Sequence, residues 1–176
     1  MKRWQYGWFF LLLPFLLLAG CNAPQNSVPI PPEVSGPFQS TVSLTGEHVA
    51  AQAQFSRLED GAYTLCLQEP AELEGMCLRF EPGLLTIEYR GLVGSYQSDS
   101  VPQNLIGMQL VEAVRMLGQE GAVELALDRD LLKANGQLQN GHGNFEATIH
   151  AQTGALASIT IPEDDFQATF TEFSYQ

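Results

Sequence analysis

The chain has 176 residues, 45% of them hydrophobic, with 8 Lys/Arg against 20 Asp/Glu and a formal net charge of −12. That length suits a leader followed by one domain with its own core. So acidic a chain repels phosphate backbones and anionic headgroups, which excludes nucleic acid as its partner.

The start of the chain reads Met1-Lys2-Arg3, a short polar stretch, then an apolar run over residues 8–19. A basic n-region ahead of an apolar core of this length is an export signal. The run falls short of the ~18 residues that a spanning helix needs, and Pro14 interrupts it. Leu18-Ala19-Gly20-Cys21 resembles the lipobox of bacterial lipoproteins. That resemblance implies cleavage between Gly20 and Cys21, a diacylglycerol thioether on Cys21, and palmitate-type acylation of the new amine. Two or more acyl chains hold a protein stably at a membrane surface. The expected location is therefore the extracytoplasmic face of the cell membrane or outer membrane, anchored by lipid without crossing. Residues 1–20 are the expected signal peptide, residues 21–36 the lipidated Cys and tether, and residues 37–176 the domain.

Residues 22–176 retain six Lys/Arg and all twenty Asp/Glu, six minus twenty giving −14. The tether is rich in proline (Pro24, Pro29, Pro31 and Pro32), and fifteen such residues at ~3.1 Å each reach about 45 Å.

Beyond the tether the dominant pattern is alternation. Residues 38–45 form a first expected strand. Val49, Ala51, Ala53 and Phe55 then alternate with Ala50, Gln52, Gln54 and Ser56. Tyr63, Leu65 and Leu67, then Met76, Leu78 and Phe80, then Leu85, Ile87 and Tyr89 continue the same inward face. A period of two with one apolar face means antiparallel strands covering a core. Taking Pro82-Gly83 as a turn opposes Phe80 with Leu85, Leu78 with Ile87 and Met76 with Tyr89. Pro-Gly favours a type II turn whereas tight hairpins favour the primed types, so a bulge is expected there. Extending the register opposes Leu67 with Met76 and Leu65 with Leu78, which sets Cys66 directly against Cys77. An exported chain meets oxidising conditions, which favour a disulfide between them; in a reducing setting the two remain free thiols. The connection over residues 68–75 has room for a helical turn at Pro70-Ala71-Glu72-Leu73.

Residues 104–118 depart from alternation. Leu105, Met108, Val111, Val114 and Leu117, joined by Ile106, Leu110 and Ala113, follow a helical period. Asn104 is the expected cap and Gly118 the expected end. Residues 123–127 form another expected strand. Gln152-Thr153-Gly154 fits a three-residue hairpin loop with Gly in the left-handed position. It opposes Ile149 with Ala157, Ala147 with Ile159 and Phe145 with Ile161. A turn at residues 162–165 then opposes Ile161 with Phe166, Ile159 with Ala168 and Ala157 with Phe170.

The stretches Pro70-x-x-Leu73-x-Gly75, Ile87-x-Tyr89-x-Gly91-Leu92, Thr153-Gly154 and Ile161-Pro162, with the meander and its single wide apolar helix, resemble the outer-membrane lipoprotein carrier (LolA-like) group. The resemblance covers roughly residues 38–176. It implies an α+β, mainly antiparallel fold: a curved sheet, or half-barrel, with one principal helix packed on its concave face. It also implies acyl-chain or lipid binding between helix and sheet. The wide helical stripe over a one-sided sheet makes Met108, Val111, Val114, Leu65, Leu78, Ile87 and Tyr89 the candidate cavity lining. The expected function is an anchored lipoprotein binding a lipid or other hydrophobic ligand there. The alternative is an anchored protein–protein interaction module with a filled core and no ligand.

Catalytic chemistry finds no foothold. His48, His142 and His150 are isolated in sequence, His142 lies in the loop Asn140-Gly141-His142-Gly143, and His150 alternates outward beside Ile149. A metal site needs three or four convergent ligands. No G-x-S-x-G elbow is present. Glu163-Asp164-Asp165 and Asp128-Arg129-Asp130 read as solvated turns. The chain is expected not to be an enzyme and to need no cofactor or metal.

Overall fold

The computed structural model describes residues 36–47, 49–102, 104–139 and 143–176. The expected signal peptide, the lipobox-like stretch with Cys21, the expected tether up to residue 35, His48 and His142 lie outside the described residues. In chain order the elements are β1 (Phe38–Gly46), β2 (Val49–Arg57), β3 (Tyr63–Glu69), β4 (Cys77–Glu81), β5 (Leu84–Tyr89), β6 (Leu92–Gln97), α1 (Ile106–Leu117), β7 (Val123–Asp128), β8 (Leu131–Gln137), β9 (Asn144–His150), β10 (Leu156–Ile161) and β11 (Phe166–Tyr175).

The strands form one sheet of eleven, ordered β6-β5-β4-β3-β2-β1-β11-β10-β9-β8-β7. Every ladder is antiparallel, and the sheet ends on β6 and β7 without closing. Two meanders therefore meet where the first strand pairs with the last, and α1 links their outer strands. Its buried residues join the core formed by the sheet's inward residues, among them Phe38, Phe55, Phe80, Phe145, Ile159 and Phe166. Burying a side chain of this size stabilises the fold by about 1.5–3 kcal/mol.

The registers follow from alternation and turn chemistry. Phe80 faces Leu85 and Leu78 faces Ile87, while Ile161 faces Phe166 and Ile159 faces Ala168. No bulge is needed at Pro82-Gly83, contrary to expectation. The ladder runs unbroken to the pair Glu81↔Leu84, and Gly83 takes φ +77, the type II geometry that Pro-Gly prefers.

Three further readings need correction. Ile149 faces Leu156 rather than Ala157, because a register shift lies between Leu156 and Ser158; Leu156 is the buried residue of the two. Gly154 does take the left-handed conformation, φ +69. Asn104 does not cap α1: Leu105 occupies that place without a side-chain bond. Asn104 falls inside the turn in which the Leu105 N–H donates to the Pro102 carbonyl, one residue too early to cap. Finally, β6 and β8 form strands that the alternation did not announce.

Candidate functional site

The helix–sheet interface is where the sequence places a cavity, and α1 reaches the sheet closely. A Cβ added to Gly107 would lie 2.8 Å from Phe80 Cζ and 3.6 Å from Leu65 Cδ2. Leu65, Leu78 and Val114 are 3%, 9% and 1% exposed and belong to one packed core with Leu110, Ala113 and Leu117. Those three candidate lining residues are thus core residues. Val111, 3% exposed, belongs to the same core, against which Met108 packs, and both also line a cleft of about 160 Å³ on the flank of α1, with Phe80, Leu84, Glu112, Arg115, Met116 and Gln139 among its other walls. Ile87 and Tyr89 lie farther along β5, half-buried, outside the cleft walls. The structure therefore brings Leu65, Leu78, Val111 and Val114 together in one packed core with Met108 and Ile87 against it, and of these candidates only Met108 and Val111 line the cleft.

The polar walls of the cleft carry no pattern that sequence reading detects, because Glu112, Arg115 and Gln139 come from the outward side of a helix and from a loop. Their packing is ordered by polar bonds: the Gln139 backbone N–H donates to the Glu112 carboxylate. Gln139 Nε2 lies 3.8 Å from Met116 Sδ. The Arg115 guanidinium stands 5.9 Å from the centre of the Tyr63 ring, which Arg57 approaches at 5.8 Å. Burial pushes the Tyr63 phenol up, and the two guanidinium charges oppose that rise.

Gln109 is a further residue that a search for apolar positions passes over. It is 1% exposed, one helical turn after Ile106 and one turn before Ala113, so it belongs to the apolar stripe by spacing. Its Nε2 donates to the Asp164 carboxylate, and its Oε1 is buried with no partner among the described residues.

A disulfide joins Cys66 and Cys77, whose Cα atoms are 4.0 Å apart. They are direct partners in the β3–β4 ladder. The following loop turns through the Leu73 N–H donating to the Pro70 carbonyl at 2.9 Å, and Tyr89 donates its hydroxyl to the Glu72 carbonyl. His150 is exposed on β9. No group of three or more His, Cys, Asp or Glu among the described residues is placed to hold a metal, and no described helix is long and apolar enough to cross a membrane.

No protein-family profile and no curated protein matches the sequence. Solved structures are similar in fold. An uncharacterized conserved protein from Thermus thermophilus is 14% identical, with a TM-score of 0.54 over 84% of this chain and 83% of that one. A chain from the structure of the CwlD amidase of Clostridioides difficile in complex with the GerS lipoprotein is 12% identical, with a TM-score of 0.50 over 79% and 86%. The LolA superfamily protein NE2245 from Nitrosomonas europaea is 8% identical, with a TM-score of 0.41 over 80% and 86%. At these identities the similarity is one of fold, an open antiparallel sheet carrying a helix.

Proposed function

We propose that this chain is an extracytoplasmic lipoprotein, anchored through acyl chains on Cys21, whose domain docks another protein of the cell envelope. In this reading the sheet is a half-barrel and α1 fills its concave side. The observation that carries it is the filled interface: Leu65, Leu78, Leu110 and Val114 close the space between helix and sheet. The flanking cleft, about 160 Å³, is smaller than the ~300 Å³ at which small-molecule pockets begin. The fold similarity to a chain from an amidase–lipoprotein complex accords with a docking role.

A second reading, transport or storage of a hydrophobic ligand, draws on one observation. The inward face of the β5–β6 hairpin continues past the helix with Leu92 and Tyr96 exposed, so a shift of α1 would extend the apolar lining.

Fatty-acid labelling and fractionation test the anchor. The natural chain is expected to take label and sediment with membranes. Cys21→Ser should lose both, and a variant that still partitions with membranes and takes label would end the lipoprotein reading. Native mass spectrometry of the mature chain after bacterial expression separates the two binding modes. The mass of the polypeptide with its covalent Cys21 acyl groups is expected, and a further, non-covalently held lipid at one per chain would favour the second reading.

A further inference from the structure

The sheet has two open edges, and they are built differently. β7 carries Glu124 and Asp128, and Asp128 is paired with Lys133 at 2.7 Å. Charged side chains along an edge discourage the addition of another strand. β6, Leu92-Val93-Gly94-Ser95-Tyr96-Gln97, holds no charge and no proline, and its ladder with β5 has no bulge. Leu92, Val93 and Tyr96 are 76%, 66% and 50% exposed. Charge, proline and bulge, three of the usual edge defences, are all missing from it.

The turn fixes which β6 groups face outward. Arg90 and Gly91 take φ +52 and +79, a two-residue primed turn that makes Tyr89↔Leu92 a hydrogen-bonded pair. Alternation then makes Ile87↔Gly94 and Leu85↔Tyr96 the next such pairs. The Ser98 N–H donating to the Gly83 carbonyl at 3.0 Å continues the same phase. Val93 and Ser95 therefore turn both N–H and C=O away from β5. Gln97 turns its N–H outward, and its carbonyl accepts the Ser100 hydroxyl at 2.7 Å.

From this edge we propose that β6 receives an extended, basic segment of a partner protein as an added strand. The inference rests on the docking reading above and names the place and the chemistry of the partner. Charge selects the occupant. Residues 36–176 carry six Lys/Arg and nineteen Asp/Glu, a net −13. Two of those cations are taken: Arg79 by Asp60 and Glu81, and Lys133 by Asp128. Arg90 lies over the Tyr89 ring. Glu88 stands opposite Val93, Asp99 follows β6, and Glu72 sits in the loop that Tyr89 touches. A second copy would bring the same negative charge to this edge. The chain's own tether is interrupted by Pro24, Pro29, Pro31 and Pro32, which cannot donate to a ladder. A segment alternating Lys or Arg with apolar residues meets Glu88 on one face and Leu92 and Tyr96 on the other.

The test uses the mature chain and two synthetic octapeptides, one alternating Val with Lys and one alternating Val with Glu. The Lys peptide should bind at least tenfold more tightly and slow amide exchange at Val93, Ser95 and Gln97. Ser95→Pro removes an outward N–H that the β5 ladder does not use, so the fold should persist while affinity falls tenfold or more. Val93→Lys, which leaves the backbone intact, should weaken the Lys peptide similarly, and Leu127→Pro on β7 should leave binding unchanged. Equal binding by Ser95→Pro and Val93→Lys, or exchange slowed away from β6, would overturn the assignment. Protection of β6 that grows with protein concentration alone would do so too, in favour of a second copy. Photo-crosslinkers at positions 93 and 127 separate this failure from that of the docking reading. A partner captured at 127 and never at 93 overturns the edge and leaves docking standing.

Discussion

The ring of Phe145 lies over Gly136, its direct partner across the β8–β9 ladder, and occupies the space where a side chain would begin. A Cβ on Gly136 would lie 2.5 Å from Phe145 Cε1 and 2.9 Å from Val123 Cγ1. Phe145 is fully buried, so its ring has nowhere to move. Gly136→Ala should therefore destabilise the domain by about 1–3 kcal/mol through overpacking, outweighing the usual gain from replacing a strand glycine. Urea denaturation checks this, and a variant as stable as the natural chain would show that the ring can yield.

That same contact explains part of what the sequence conceals. The inward positions of β8 are Leu132, Ala134 and Gly136, and two of the three are too small to register as apolar alternation. β6 lacks alternation for the opposite reason: both of its faces are exposed, so no face selects for apolar residues. Where one face is buried the pattern is legible. Leu78↔Ile87, Ile161↔Phe166 and Cys66↔Cys77 all follow from counting back from a turn. The shift between Leu156 and Ser158 is invisible because Leu156 and Ala157 are both apolar and either could face inward. Likewise, periodicity places Leu65, Leu78 and Val114 inward but does not say whether two inward faces touch or leave a gap. Volume at that interface is decided by neighbours far apart in sequence, such as Gly107 against Phe80.

The Cys66–Cys77 disulfide closes a short loop, with the two residues 11 apart in sequence. Loop-closure entropy for such a loop is worth somewhat under ~3 kcal/mol. The double variant Cys66→Ala, Cys77→Ala should lower the urea midpoint by the corresponding amount, and the natural chain under reducing conditions should behave like it. Coincident curves for oxidised and reduced natural protein would mean that the bond contributes no stability.

Acid should weaken the fold through two exposed carboxylates. The Ala62 backbone N–H, at 3.0 Å, and then the Arg79 guanidinium hold the Asp60 carboxyl below its usual 3.8. Glu163 is held low first by its own backbone N–H and then by that of Asn144. A carboxylate with a depressed folded value stabilises the fold fully above its unfolded value, and that contribution is lost as pH falls through the folded value. The melting temperature should therefore drop below about pH 4, and less steeply in Asp60→Asn and Glu163→Gln than in the natural chain. Parallel curves for all three proteins would remove these two groups from the account.

Gln109 offers the sharpest contrast between neutral and charged occupants of one site. Its carboxamide is buried, donates to Asp164 and leaves Oε1 without a partner among the described residues. Gln109→Glu exchanges the donor for a second carboxylate facing Asp164, in a place water does not reach. An uncompensated buried charge of this kind costs about 3–5 kcal/mol at neutral pH. Burial and the Asp164 charge both raise the new carboxyl's folded value, so the penalty is absent below its unfolded value and grows as pH rises above it. The variant should thus melt well below the natural chain at pH 7 and approach it near pH 4. Gln109→Leu keeps the volume and places no charge, and Asp164 remains exposed to water, so its cost should stay under about 1.5 kcal/mol. If Gln109→Glu is as tolerated as Gln109→Leu at neutral pH, the helix does not seal this position against solvent, and α1 is looser on the sheet than its packing indicates.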